Sequence, residues 1–166
     1  MVVLGIDPGS RVTGWGIVSR ERGRYLHVAS GAIRTGRGDD LAARLLIIHT
    51  ALREVLAQHT VQESAIESIF RHRSSESALR LGHGRGVAML ALAQAGLPIF
   101  EYGTTHIKKA VTGYGKADKE QLGRVVAMLL GQTIEGPADV TDALAVAITH
   151  LAQARPVVVG PRGAAP

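Results

Sequence analysis

Four carboxylates stand where they could converge on one point. Asp7 follows the apolar run Val2 to Ile6, Glu67 follows Ala65 and Ile66, and Asp139 and Asp142 sit one turn apart in a stretch of helical character. Carboxylates gathered in one pocket repel, which raises the proton affinity of some of them unless a cation joins. Hard oxygen ligands without His or Cys favour Mg²⁺ or Mn²⁺ over zinc. Two such ions, ~3.5 to 4 Å apart, can position a water and stabilise the departing oxygen of a phosphodiester. Each acid alone also has a structural reading: Asp7-Pro8-Gly9 as a turn, Glu67 as a solvated charge at a strand edge, Asp139 as a helix N-cap with Asp142 favoured by the macrodipole. The combination is what points to metal-dependent chemistry on a phosphate.

The elements that must position these groups can be read along the chain. Val2 to Ile6 is a continuous β-branched run, predicting a strand buried on both faces. Thr13 to Arg20 and Arg24 to Thr35 alternate and meet near Arg22-Gly23, predicting an antiparallel meander. From Asp39 or Asp40, apolar residues at Leu41, Leu45, Ile48, Leu52, Val55 and Leu56 have amphipathic helical spacing. Glu63 to Glu67 reads as a strand, Arg71 to Glu76 as a basic loop, and Ser77 to Ala95 as a helix rich in Gly and Ala. Leu97 to Tyr102 is the fifth strand; helices follow over Thr104 to Val111, Lys119 to Leu130 and Asp139 to Ala154. Strands first, then alternating helix and strand, predict an α/β fold with one five-stranded mixed sheet and helices on both faces. Parallel pairing of the first and fourth strands would bring Asp7 and Glu67 to one edge and leave Glu63 at the other.

At 166 residues the chain fits one domain, expected over residues 1–154, with a flexible tail over 155–166. Lys plus Arg outnumber Asp plus Glu by 19 to 14, and the excess gathers in Arg20 to Arg37, Arg71 to Arg85 and Lys108 to Arg124, which suits a polyanionic partner or a solvated basic surface. The absence of Cys excludes disulfides, thiolate zinc sites and Cys nucleophiles. The first residues have neither the basic flank nor the length of a signal peptide, and no apolar run approaches the ~18 residues of a membrane span, so a cytoplasmic location is expected. His83, His106 and His150 show no recognisable ligand spacing and read as packing or surface residues. The glycines from Gly82 to Gly86 read as a close helix contact between two copies of the chain.

The strings GIDPGSRVTGWG, AIESIF, SALRLGHGRGVA, PIFEYGTTHIKKAVTGYGKADKEQ and DVTDALAVAITH, in this order from about Val2 to Ala152, together resemble the RuvC family of Holliday junction resolvases. The resemblance implies an RNase H-like fold and a homodimeric endonuclease that makes paired nicks in a four-way DNA junction, using Mg²⁺ or Mn²⁺, two ions per subunit. It carries the family's acidic cluster onto Asp7, Glu67, Asp139 and Asp142. Some members have His in place of the first acid of the last helix; here it is Asp139. Phe70 matches an aromatic residue used against junction bases, where it could stack on an unpaired base while Arg71 and Arg73 hold phosphate. Lys108 and Lys119 match lysines near the scissile phosphate, with Lys119 counted in the catalytic set. Lys109 and Lys116 are candidate phosphate contacts or solvated charges. The resemblance also implies a branch-migration motor complex of the RuvA and RuvB type as partner, and association with the nucleoid.

Other classes compete. Asp7-Pro8-Gly9-Ser10 resembles the first phosphate loop of actin-like and sugar-kinase ATP-binding proteins, but those need two related lobes and this chain has length for one. A junction-binding protein without catalysis would tolerate gaps in the acidic set, and none is seen. A related RNase H-like nuclease on another substrate, such as an RNA–DNA hybrid, would not need the paired symmetry of a dimer.

Overall fold

A computed structural model describes residues 1–9, 11–36, 40–68 and 75–153. Its strands are β1 (Val2–Asp7), β2 (Val12–Glu21), β3 (Arg24–Arg34), β4 (Glu63–Ser68) and β5 (Ile99–Gly103). Its helices are α1 (Leu41–Gln58), α2 (Ser75–Gln94), α3 (Thr104–Thr112), α4 (Lys119–Leu130) and α5 (Ala138–Ala152). The strands form one sheet in the order β3-β2-β1-β4-β5. The first three are antiparallel neighbours, and β4 and β5 add parallel to β1. The β2–β3 hairpin turns on Arg22 and Gly23, both with positive φ (49° and 82°), the mirror-image turn whose twist matches its flanking strands.

Alternation along the strands divides the core between the two faces. Leu4, Ile6, Ile17, Ile66 and Ile99 point to α1 and α2, and Val3, Val18, Ala65, Phe100 and Tyr102 to α3, α4 and α5. Asp40 caps α1, its carboxylate accepting from the Ala43 amide at 2.7 Å. The α1 stripe is narrower than its spacing predicts: Ile48, Leu52 and Val55 are buried, while Leu41 is exposed.

The central element is α5. It is buried continuously from Ala143 to Leu151, as expected of a helix that is apolar on every side. One side lies directly on β1 and β2, and α3 and α4 cover the other. This close seat exists because the strands present glycine to it. A Cβ on Gly5 would lie 2.1 Å from the Ala143 carbonyl oxygen and 2.7 Å from the Ala147 amide, and one on Gly14 would lie 1.9 Å from the Asp139 carbonyl oxygen. A Cβ on Gly16 would meet the Leu144 side chain at 2.6 Å. At Gly5 and Gly14 the obstacle is backbone, which cannot rotate aside.

The predicted mixed sheet with helices on both faces is therefore found. Phe70, Arg71, Arg73, Asp39 and the tail over 155–166 lie outside the described residues. The capping reading of Asp139 is corrected: α5 begins one residue earlier, at Ala138, with Pro137 at the N-cap and no side-chain cap. Pro137, with its fixed φ, already turns the chain into the helix, so the Asp139 carboxylate is not used as a cap.

Gly5→Ala should destabilise the chain by about 3 kcal/mol, read as a lower urea midpoint at unchanged slope. Gly123→Ala, where a Cβ would meet only the Thr141 methyl at an ordinary 3.8 Å, should leave stability unchanged or raise it.

Candidate metal centre

Three local features bring the acids together. The first is register: β1 and β4 are parallel with Ile6 opposite Ile66, so Asp7 and Glu67 end adjacent central strands side by side. The second is the glycine seat, since Gly14 pairs with Asp7 across β1 and β2 while receiving the first turn of α5. That turn carries Asp139, and Asp142 follows three residues on, a spacing that puts both on one side of the helix. The third is a capping box. Asp118 accepts from the Gln121 amide at 2.8 Å and Gln121 returns a bond to the Asp118 amide at 3.0 Å, so α4 starts at Lys119.

These elements enclose a cavity of about 170 Å³ lined by Asp7, Glu67, Asp142, Lys108, Lys119 and Thr104, floored by Ile107 and Leu122. Lys119 Nζ lies 2.9 Å from Asp142 Oδ2. This bond, with the nearby Asp7 and Asp139 charges, holds the Lys119 ammonium above its ordinary value against the opposing effect of burial. The Thr104 hydroxyl donates to Glu67 Oε1. Burial, then the charges of Glu67, Asp142 and Asp139 in that order, push the Asp7 carboxyl up to about 8, and Asp7 and Glu67 share a hydrogen bond.

Among the described residues, no three His, Asp or Glu side chains are assembled closely enough to enclose an ion as they stand. The acids are instead engaged with other side chains: Lys119 holds Asp142, and Thr104 holds Glu67. The donor set nevertheless fits a hard divalent cation, because it is all carboxylate oxygen and its acids raise the proton affinity of Asp7.

The remaining predicted positions separate clearly. Lys108 lines the cavity, whereas Lys109 and Lys116 are exposed outside it. Glu63 lies at the far end of β4, as parallel pairing requires. Thr104 is a site residue the sequence reading missed. Its signal was available: it follows β5, whose carboxyl end opens on the same sheet edge as those of β1 and β4.

A mixed sheet of this order, with carboxylates at the carboxyl ends of its central parallel strands, defines an RNase H-like nuclease. The family model for the crossover junction endodeoxyribonuclease RuvC matches residues 3–150, and the chain belongs to that family. It is 46% identical over 151 residues to the crossover junction endodeoxyribonuclease RuvC of Zymomonas mobilis, covering 90% of each chain. With that of Halorhodospira halophila it is 49% identical over 148 residues, covering 89% of this chain and 88% of the relative. Among solved structures, T. thermophilus RuvC in complex with a Holliday junction substrate superposes with a TM-score of 0.86 at 33% identity, covering 91% of this chain and 93% of that one. The yeast mitochondrial Holliday junction resolvase Ydc2 shares the fold at a TM-score of 0.64 and 12% identity, covering 90% of this chain and 77% of that one. The chain is an endodeoxyribonuclease.

The raised Asp7 value fixes a sign for stability against pH. A carboxyl whose proton affinity rises on folding stabilises the fold below its unfolded value, and that contribution is lost as pH rises through the folded one. Without divalent metal, Tm should therefore fall from about pH 4 to about pH 8, the interval between the ordinary 3.8 and the folded value. Calorimetry in chelator across that range should show the fall in the wild type and a flatter profile in Asp7→Asn.

Proposed function

We propose that this chain resolves four-way DNA junctions as a homodimer, each subunit nicking one of two opposing strands with two Mg²⁺ or Mn²⁺ ions held by Asp7, Glu67, Asp139 and Asp142. The observation that carries this reading is the gathering of the acids around Asp7 beside a cavity that also presents Lys108 and Lys119, where burial and then the charges of Glu67, Asp142 and Asp139 push the Asp7 carboxyl up to about 8. Bound there, the ions supply Lewis acidity toward the scissile phosphate. The chain's own groups do the rest. With cations held there, Asp7 would be ionised, and Thr104 would keep the Glu67 carboxylate turned into the cavity. Lys119, released from Asp142, offers its ammonium to a phosphate oxygen and to the charge that grows there in the transition state. Lys108 faces the same cavity from α3 and can hold a neighbouring phosphate.

Lys109 and Lys116, both exposed, act as sequence-independent phosphate contacts together with Arg71 and Arg73, and Phe70 stacks on a junction base. A branch-migration complex of the RuvA and RuvB type delivers the junction, in the cytoplasm at the nucleoid. No helix among the described residues is long and apolar enough to cross a membrane, in keeping with such a role.

The homodimer reading is supported by what α1 and α2 leave outward. Leu46 is 64% exposed on α1, and Leu79 and Leu90 are 62% and 51% exposed on α2. Between the latter two, Gly82 and Gly86 present bare backbone with nothing within 4 Å, while Gly84 packs inward on the Gly9 carbonyl oxygen. Large apolar side chains flanking two glycines one turn apart suit a second helix at close approach.

Asp7→Asn and Asp142→Asn should each reduce cleavage of a synthetic four-way junction more than about a hundredfold while preserving binding in a gel-shift assay. Full cleavage by either would remove the metal-site assignment. Sedimentation should give twice the chain mass for the wild type and the monomer mass for Gly86→Glu, at a position where an added Cβ meets nothing within 4 Å in the isolated fold. A dimeric Gly86→Glu would place the interface elsewhere.

A further inference from the structure

A second polar constellation lies under α5, away from the acidic cavity. His150 is only 2% exposed, yet both of its ring nitrogens are engaged. Nδ1 lies 2.8 Å from the Tyr102 hydroxyl on β5, and Nε2 lies 2.6 Å from Glu63 Oε2 on β4. The ring also packs on Phe100, with centroids 4.3 Å apart. A carboxylate can only accept, so Nε2 carries the hydrogen; in the neutral ring Nδ1 then receives the hydrogen of Tyr102. One side chain thus ties a helix to two adjacent strands.

The placement of this tie connects it to the metal centre. Glu63 and Glu67 are four residues apart on β4, about 13 Å along the strand and on the same face. His150 is eight residues from Asp142, about 12 Å along α5, and eleven from Asp139, three turns that bring both nearly onto one line of the helix. The strand meets the helix at both ends, Glu63 with His150 at one and Glu67 with the acids of α5 at the other. At the metal end the facing groups are like charges and push apart. Among the described residues, His150 to Glu63 is the side-chain hydrogen bond that joins α5 to β4. The apolar contacts between them are non-directional, so they resist separation far more than sliding.

We propose that His150 is a positioning residue for the metal centre: by holding Glu63 and Tyr102 it fixes α5 lengthwise on β4 and β5, and so sets Asp139 and Asp142 at the distance from Asp7 and Glu67 that divalent cations require. His150 touches neither substrate nor metal. The proposal rests on the metal reading above.

The test uses the full chain and Mn²⁺. His150→Phe keeps the ring packing on Phe100 and removes both hydrogen bonds; Tyr102→Phe removes one. Mn²⁺ binding is measured by calorimetric titration without DNA, cleavage is measured against Mn²⁺ concentration, and Tm is recorded for each variant. His150→Phe should need about tenfold more Mn²⁺ for half-saturation, regain most of the wild-type cleavage rate at saturating Mn²⁺, and bind the metal-free junction unchanged. Tyr102→Phe should shift in the same direction by less, and it carries the test alone if His150→Phe does not fold. Leu52→Ala, in the core of the opposite sheet face, measures what lost stability alone does to Mn²⁺ binding. Unchanged Mn²⁺ affinity in the folded variants, or a loss no greater than in Leu52→Ala at a similar fall in Tm, overturns the proposal. Asp7→Asn separates the two readings: if it retains wild-type Mn²⁺ affinity the metal centre itself is misplaced, whereas if it loses Mn²⁺ and His150→Phe does not, only the positioning role fails.

Discussion

The contact on which this architecture depends is backbone against backbone, where α5 rests on Gly5 and Gly14 of the two central antiparallel strands. A helix held off a sheet by ordinary side chains would leave the short Asp side chains of its first turn too far from Asp7 to share a cation with it. Glycine on the strands and Ala143 and Ala147 on the helix remove that spacer. The cost is conformational, since glycine weakens a strand by roughly 0.5 to 1 kcal/mol relative to Ala. Burial of the apolar helix from Ala143 to Leu151 offsets it. Packing thus serves chemistry directly: the residues that close the core also set the separation of the acids.

Closing that distance creates an electrostatic problem with three remedies. The acids can take up a proton, as the raised Asp7 carboxyl favours; they can pair with an ammonium, as Asp142 does with Lys119; or they can bind divalent cations. A divalent cation held by these acids would supply the positive charge that Lys119 now supplies to Asp142, and would leave the Lys119 ammonium able to face phosphate. The basic character of the chain and its acidic cavity are two parts of one arrangement, linked by the ion.

Much of this was legible in the sequence because it is periodic or local. The β-branched run ending at Asp7, the short strand ending at Glu67 and the i, i+3 spacing of Asp139 and Asp142 were enough to predict the convergence, through the rule that parallel strands gather function at their carboxyl ends. The Asp118–Gln121 capping box that starts α4 at Lys119 was equally local, but drew no attention beside a charged loop. What could not be read was long-range side-chain pairing. Thr104 reaches Glu67 across 37 residues, and His150 reaches Glu63 across 87. A Thr opening a helix and a His inside one are ordinary in sequence and acquire meaning only when the sheet order brings β5 and α5 beside β4. The capping reading of Asp139 failed for the opposite reason, because a local rule was satisfied by the neighbouring Pro137 instead.

The sheet also separates two tasks. Its α5 face carries the acids, the lysines and the Glu63–His150–Tyr102 tie, and its other face carries α1 and α2 with their outward leucines and bare glycines. An isologous dimer built through the second face leaves each acidic edge open and relates the two edges by a two-fold axis. A four-way junction with matching arms has approximate two-fold symmetry of its own. In such a dimer, two identical cavities would meet two equivalent phosphodiesters. A monomer with the same cavity would cut one strand and release an unsymmetrical product. On the proposed dimer, symmetry in the product would depend on the face of the sheet that does no chemistry.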